Sequence, residues 1–213
     1  MNVCIVGHGP SLRTAKLGKE IDACDLVVRL KNCGYLLAEP QNYGRRTDVM
    51  CSSTEVLYNL PKIKASEYWG WPKKGEYSPA RVKRLERIVK PAPVKIPLQA
   101  AMLWTAVFHE LGGKHKHLST GLGAIVCALE LKRPEKIYLA GFDKVINPET
   151  EGYQSTVPTL WNKEGKADTG HDWAKEKELL GYLQAHYNSK IIDLARGHYL
   201  SPAGVQLVRP AAA

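Results

Sequence analysis

Nowhere in the 213 residues does an apolar run approach the ~20 residues that a membrane-crossing helix needs. Asn2 opens directly into Val3-Cys-Ile-Val6, which reads as a strand, so neither a secretory leader nor a membrane segment is expected. The five cysteines (Cys4, Cys24, Cys33, Cys51, Cys127) are odd in number and have neither Cys-x-x-Cys nor zinc-ligand spacing. Asn-x-Ser/Thr sequons are missing as well. The cysteines therefore read as small buried hydrophobes in a reducing cytoplasm. No internal repeat or low-complexity linker divides the chain. One domain over 1–210 is expected, with 211–213 as a tail.

What is present is a soluble composition, 44% hydrophobic and 24% charged, with a formal charge of +9. That charge is unevenly spread. Between Pro61 and Lys95 ten Lys/Arg face three Glu, and Tyr68, Trp69, Trp71 and Tyr77 interleave with them. A basic, aromatic-bearing insertion at about 61–97 could follow a phosphate backbone and stack on bases. Lys73, Lys74, Arg81, Arg84, Trp69 and Trp71 are its candidate acceptor-binding residues. The plain alternative is a solvated helix face beside a few core aromatics.

The elements alternate along the chain. Val3–Val6 is a buried strand that stops at Gly7-His8-Gly9-Pro10-Ser11, a glycine-permitted turn whose N–H groups could converge on an anion such as a nucleotide phosphate. Leu12–Lys19 reads as one short helix, Leu26–Val28 as a strand left at Arg29, Thr47–Cys51 as a third strand and Thr54–Leu60 as a helix. Glu67–Trp71 is a candidate strand. Pro79–Lys90 is amphipathic, with Val82, Leu85, Ile88 and Val89 on one face. Pro91–Pro97, with three prolines, reads as a loop, and Pro97–Leu111 as a helix stopped by Gly112-Gly113. His115 and His117 stand at a spacing that can suit a metal in a strand, yet no third ligand is near, and a solvated basic loop is the reading taken. Ser119–Leu131 is a helix with a hydroxyl-rich start, Lys136–Asp143 a strand ending in Gly141-Phe142-Asp143, and 144–170 a long loop. His171–Tyr187 is a helix and Lys190–Leu194 a closing strand.

Short strands apolar on both faces, alternating with helices, predict an α/β fold with a mostly parallel sheet covered by helices on both faces. Ligands in such sheets bind beyond the carboxyl ends of the strands. The Gly7–Ser11 turn, Arg29 to Asn32, and Gly141 to Asp143 all fall at predicted strand ends, and the Ser119-Thr120-Gly121 helix start joins them if the strand order allows.

Three blocks resemble the sialyltransferases, eukaryotic and bacterial. Cys4-Ile-Val-Gly-His-Gly-Pro-Ser-Leu12, continuing through Glu20–Leu30 to Tyr43–Thr47, looks like the family's long N-terminal motif. Ser119-Thr-Gly-Leu-Gly-Ala124 with Ile137–Asp143 looks like its short motif, and His171-Asp-Trp-Ala-Lys-Glu176 fits its late His-x-x-x-x-Glu element. The blocks cover about half the chain, in the family's order. Departures stand at His8, where the family usually has Asn, and at Lys31, where an asparagine is displaced to Asn32.

The resemblance implies a Rossmann-like glycosyltransferase domain using a nucleotide-activated sugar, CMP- or UDP-linked, as co-substrate. It implies that Gly7, His8, Gly9, Pro10, Ser11, Ser119, Thr120 and Gly121 hold nucleotide and ribose, and Arg29, Asn32, Gly141, Phe142 and Asp143, at predicted strand ends, join them as donor-binding candidates. His171 would be the general base that takes a proton from the acceptor hydroxyl, a role suited to imidazole. Glu176 would support the site. The chain has no Asp-x-Asp, the usual chelating pair of metal-dependent sugar transferases, so a metal-independent reaction is expected, with Tyr153 a candidate to meet the leaving phosphate. The basic 61–95 stretch suggests a polyanionic acceptor, such as a hydroxymethylated pyrimidine in viral DNA, with the enzyme then in the host cytoplasm. A glycan or lipopolysaccharide acceptor is the alternative. A non-catalytic nucleotide or nucleic-acid binding module, or a pure scaffold, would be the reading from a different class.

Overall fold

The structure, a computed structural model, describes residues 1–31, 39–53, 64–72, 78–115, 117–148, 171–195 and 198–199. Asn32, Cys33, Lys73, Lys74, Tyr153 and the expected Thr54–Leu60 helix lie outside the described residues, as does the side chain of Arg81.

The first strand, β1 (Asn2–Val6), enters a tight turn and the one-turn helix α1 (Leu12–Ala15). Lys16, left-handed at φ 51°, ends α1, and the chain restarts as α2 (Gly18–Asp22), so the single helix expected over Leu12–Lys19 is two pieces. β2 (Leu26–Leu30), α3 (Pro40–Tyr43), β3 (Val49–Ser53) and β4 (Glu67–Trp71) follow. Then come α4 (Pro79–Val89), β5 (Val94–Lys95), α5 (Leu98–Glu110) and α6 (Thr120–Lys132). The chain closes through β6 (Lys136–Ala140), α7 (Asp143–Ile146), α8 (Trp173–Tyr187), β7 (Lys190–Asp193) and β8 (His198–Tyr199). No helix among the described residues is long and apolar enough to cross a membrane.

All pairings but the last are parallel, in the order β5-β4-β3-β2-β1-β6-β7-β8, with β8 antiparallel to β7. The strand period of two sorts the core. Val3, Ile5, Val28, Val49 and Ile137 face α5, α6 and α8, while Cys4, Val6, Val27 and Met50 face α1, α2 and α4. The α6 helix shows no polar face because Leu122 to Leu129 are all buried beneath the sheet. The expected α/β architecture is therefore present.

The described part of the stretch at 61–97, expected to be an insertion, includes two strands of the sheet. Within it β4 is buried from end to end and pairs with β3 on one side and β5 on the other. Trp69 and Trp71 are 0% exposed, so the two indoles expected to stack on an acceptor are core residues. Pro91–Pro97, expected to be irregular, contributes β5, because its Val94 and Lys95 register with Tyr68 and Trp69. At the amino end of β4, Glu67 accepts from the Trp69 indole and pairs with Lys95 at 3.1 Å and Lys132 at 3.0 Å. Burial pushes that carboxyl up, but the indole and the two ammonium groups outweigh it and hold it below its usual value.

Gly123 is where α6 meets β4: a Cβ there would lie 2.4 Å from Trp71 Cγ. With Trp71 wholly enclosed, the overlap has nowhere to relax. Gly123→Ala should cost about 1–3 kcal/mol, read as a lower midpoint in urea unfolding.

Candidate functional site

From β1 the chain winds outward through β2 to β5, then returns to lay β6 on the other side of β1. The connections leaving β1 and β6 thus part in opposite directions and open a crevice at their carboxyl ends, the place where open α/β sheets bind ligands. The Gly7–Ser11 and Gly141–Asp143 turns are the two lips of that crevice.

The lips are stitched together by backbone. Gly7 N–H donates to the Ala140 carbonyl at 2.7 Å, Gly9 N–H to the Gly141 carbonyl at 2.8 Å, and Ser11 N–H to Asp143 Oδ2 at 3.2 Å. A Cβ on Gly9 would sit 1.9 Å from Asp143 Oδ2, and Gly141 adopts φ 72°, so both positions require glycine. This corrects the expected role of the turn. The Gly7, Gly9 and Ser11 N–H groups, expected to converge on an anion, are spent on Ala140, Gly141 and Asp143, and α1 is too short to offer a helix terminus. Ser11, too, makes no side-chain cap bond to α1.

The third part is the start of α6. Ser119 caps it, its Oγ accepting from Leu122 N–H at 3.1 Å. Thr120 and Gly121 follow, and the first-turn N–H groups of a helix have no intrahelical partner. The Phe142 ring ties this start to the crevice: a Cβ on Gly121 would come 2.9 Å from that ring, and one on Gly7 3.1 Å.

The fourth part arrives from α8. Asp172 caps that helix, accepting from Lys175 N–H at 3.3 Å, so His171 precedes the helix rather than beginning it. Glu176, wholly buried one turn in, accepts from Ser119 N–H at 2.7 Å and from Ser119 Oγ–H at 2.6 Å. Its Oε1 also lies 3.7 Å from His171 Nδ1. The His171 side chain remains 23% exposed, with the Trp173 ring 4.8 Å away. Gly7, Ser119, Gly121, Phe142, Glu176 and His171 are thereby joined through a continuous set of contacts.

Other expected residues go elsewhere. Arg29 is 0% exposed, its Nη2 bonded to the Tyr43 carbonyl at 2.7 Å and its Nε to the Arg46 carbonyl at 2.8 Å and Thr47 Oγ1 at 3.0 Å. It braces the link into β3 rather than lining the crevice. Arg84 is exposed on α4, which packs on β5 at the sheet edge. With strands ~4.8 Å apart, that edge is roughly 19 Å from β1. His8 keeps its place in the turn. Burial and the Lys31 charge push its imidazole down to about 4, against a hydrogen bond to the Lys31 backbone that acts the other way. His115, read from the sequence as part of a solvated loop, has its ring 5.9 Å from that of His171. Only the fold reveals that proximity, since the two are far apart in sequence.

No family model matches the chain. Its sequence is 25% identical over 168 residues to the type 2 lactosamine alpha-2,3-sialyltransferase of Homo sapiens, and equally to those of Pan troglodytes and Pongo abelii. The alignment takes in 65% of this chain and 48% of each relative, so the chain spans about half the length of the curated relatives it matches. In fold it resembles a mammalian sialyltransferase crystallised with Gal-beta-1-3GalNAc-ortho-nitrophenol, with a TM-score of 0.56, 17% identity, and coverage of 90% of this chain and 69% of that one. A second mammalian sialyltransferase crystal structure gives a TM-score of 0.54 at 17% identity, over 90% of this chain and 68% of that one. The architecture is thus sialyltransferase-like.

His8 makes stability depend on pH in a stated direction. An unfolded imidazole binds its proton near 6.5, whereas the folded one resists until about 4. Between these values the unfolded chain carries the extra proton, so stability falls as pH is lowered. His8→Asn should remove about 1–2 kcal/mol of the loss seen between pH 7 and pH 5, measured by urea unfolding of both proteins at each pH.

Proposed function

We propose that this chain, sialyltransferase-like in sequence and fold, is a metal-independent glycosyltransferase that moves a sugar from a nucleotide-activated donor to an acceptor hydroxyl. The observation that carries this reading is the Ser119–Glu176–His171 chain of contacts beside the β1–β6 crevice. Glu176 faces His171 on its Nδ1 side, which favours the tautomer with the proton on Nδ1 and makes Nε2 the accepting nitrogen. His171 would take the acceptor proton through Nε2 as the hydroxyl oxygen attacks the anomeric carbon. The bond from that carbon to the donor phosphate breaks, and the nucleotide leaves with the electron pair. Negative charge growing on the leaving phosphate would be met at the N-terminus of α6, at Thr120 and Gly121, in place of the occupied glycine turn.

For the acceptor, a glycan fits the relatives' printed substrates and is the reading preferred here. A hydroxymethylated pyrimidine in DNA is the second reading. It keeps one observation in its favour, the exposed Lys83, Arg84 and Arg87 on α4 and Lys90 just past its end, but loses the stacking indoles. Residence in the cytoplasm remains part of the proposal and rests on the cysteine pattern.

A thermal-shift screen of CMP- and UDP-sugars should find one that raises the melting temperature, and failure with all of them removes the enzyme reading. With that donor, His171→Ala should lower kcat by about 10²–10⁴-fold while leaving donor affinity within a few-fold. Wild-type turnover in the variant would reject the base assignment. Labelled sugar offered to both acceptors should go to free saccharides with weak salt dependence. Transfer to hydroxymethylated duplex that falls steeply with salt would instead favour DNA.

A further inference from the structure

The four described cysteines are unbridged and fall into two pairs, each joining a strand to another segment. Cys51 on β3 and Cys127 on α6 are hydrogen-bonded thiols, both 0% exposed, on the α6 side of the sheet. Cys4 on β1 and Cys24, between α2 and β2, form the other pair and share the core on the opposite side.

The contact between Cys4 and Cys24 has a direction. Cys4 S–H donates to Cys24 Sγ, and Cys24 S–H donates to the Glu20 carbonyl at 3.5 Å. Arg46 braces the same spot, its Nη1 donating to the Cys24 carbonyl at 2.6 Å and to the Asp22 carbonyl at 2.8 Å. The bond from Cys4 is the largest influence holding the Cys24 thiol below its usual value. Burial and Asp25 oppose it, and the Arg46 charge assists. Cys4, the donor and 0% exposed, is pushed up by that same bond and by burial. The two sulfurs therefore differ in role. Cys24 has the thiolate character and keeps 7% exposure, while Cys4 lies behind it with its proton.

We propose that Cys4 and Cys24 are a peroxide-oxidisable pair that closes to a reversible disulfide through attack by Cys24. The Cys24 thiolate attacks one oxygen of hydrogen peroxide and the O–O bond breaks. The departing hydroxide leaves as water with the proton that Cys24 gave up, and the sulfur is now a sulfenic acid. The Cys4 sulfur, losing its proton, attacks that sulfur and displaces hydroxide, which takes the proton and leaves as a second water. Two thiols are oxidised to one disulfide while one peroxide is reduced to two waters. In a reducing cytoplasm the bond is transient and reopens by thiol exchange. Cys51 and Cys127 are shut away from the oxidant and stay reduced. The inference does not depend on the transferase reading.

The test is peptide mapping of the full, reduced chain after treatment with hydrogen peroxide. Remaining thiols are capped under denaturing conditions and the chain is cut with trypsin. Cys4 then falls in Met1–Arg13 and Cys24 in Glu20–Arg29. These two peptides should appear joined, two hydrogens lighter than their sum, and should separate again with dithiothreitol. Cys51 and Cys127 should be recovered capped. Met102, 68% exposed, serves as an internal gauge of dose through its sulfoxide. Capped Cys4 and Cys24 at doses that oxidise Met102 overturn the inference, as does a disulfide from either of them to another cysteine. Dimedone, which traps sulfenic acid, reads the order of attack. Cys4→Ala should leave Cys24 labelled, and Cys24→Ala should leave Cys4 unlabelled. Label on Cys4 with none on Cys24 refutes the assigned nucleophile. Should a variant lose the fold, the wild-type map decides, since it needs no substitution.

Discussion

One buried carboxylate organises the candidate site. Glu176 gives both oxygens to Ser119, accepting from the backbone N–H and the hydroxyl of a residue 57 positions earlier. A carboxyl group buried at this depth needs fixed hydrogen-bond partners, and Ser119 supplies two. Those partners sit at the start of α6, so the carboxylate locks the beginnings of α6 and α8 together. Everything placed from those two starts inherits the lock: His171 in front of α8, Thr120 and Gly121 at the head of α6, and through Gly121 the Phe142 ring that abuts the glycine turn.

The glycine turn itself illustrates how tertiary contacts can redirect local chemistry. By its residues, Gly7 to Ser11 looks like a cradle for an anion. Its Gly7, Gly9 and Ser11 N–H groups are taken by the neighbouring strand end and by Asp143, a carboxylate resident where a phosphate would be expected. The glycines serve close packing of β1 against β6 instead. In the proposed transferase the head of α6 is then the place for a leaving phosphate.

A similar reassignment governs the basic stretch between Pro61 and Lys95. Among its described residues Lys83, Arg84 and Arg87 are exposed on α4, Lys95 pairs with Glu67, and Trp69 and Trp71 are in the core. Composition cannot separate these, because charge and aromatic content say nothing of which way a strand residue points. Once β4 is a strand between two others, covered on both faces, all five of its residues must be enclosed. The exposed cations remain as a surface feature at the sheet edge, distant from the crevice.

The parallel α/β class, the hydroxyl-capped α6 and the α8 helix were legible from residues alone. Each depends on short-range regularities: apolar runs of strand length, helical spacing, and glycine or hydroxyl residues at the breaks. Strand order, the destination of the turn's N–H groups, the burial of Trp69 and Trp71, the bracing role of Arg29 and the approach of His115 to His171 were decided only by the folded chain. These are meetings between segments distant in sequence. A linear pattern records which face a side chain takes on its own element, but the partner that face finds is set by how all the elements share one core.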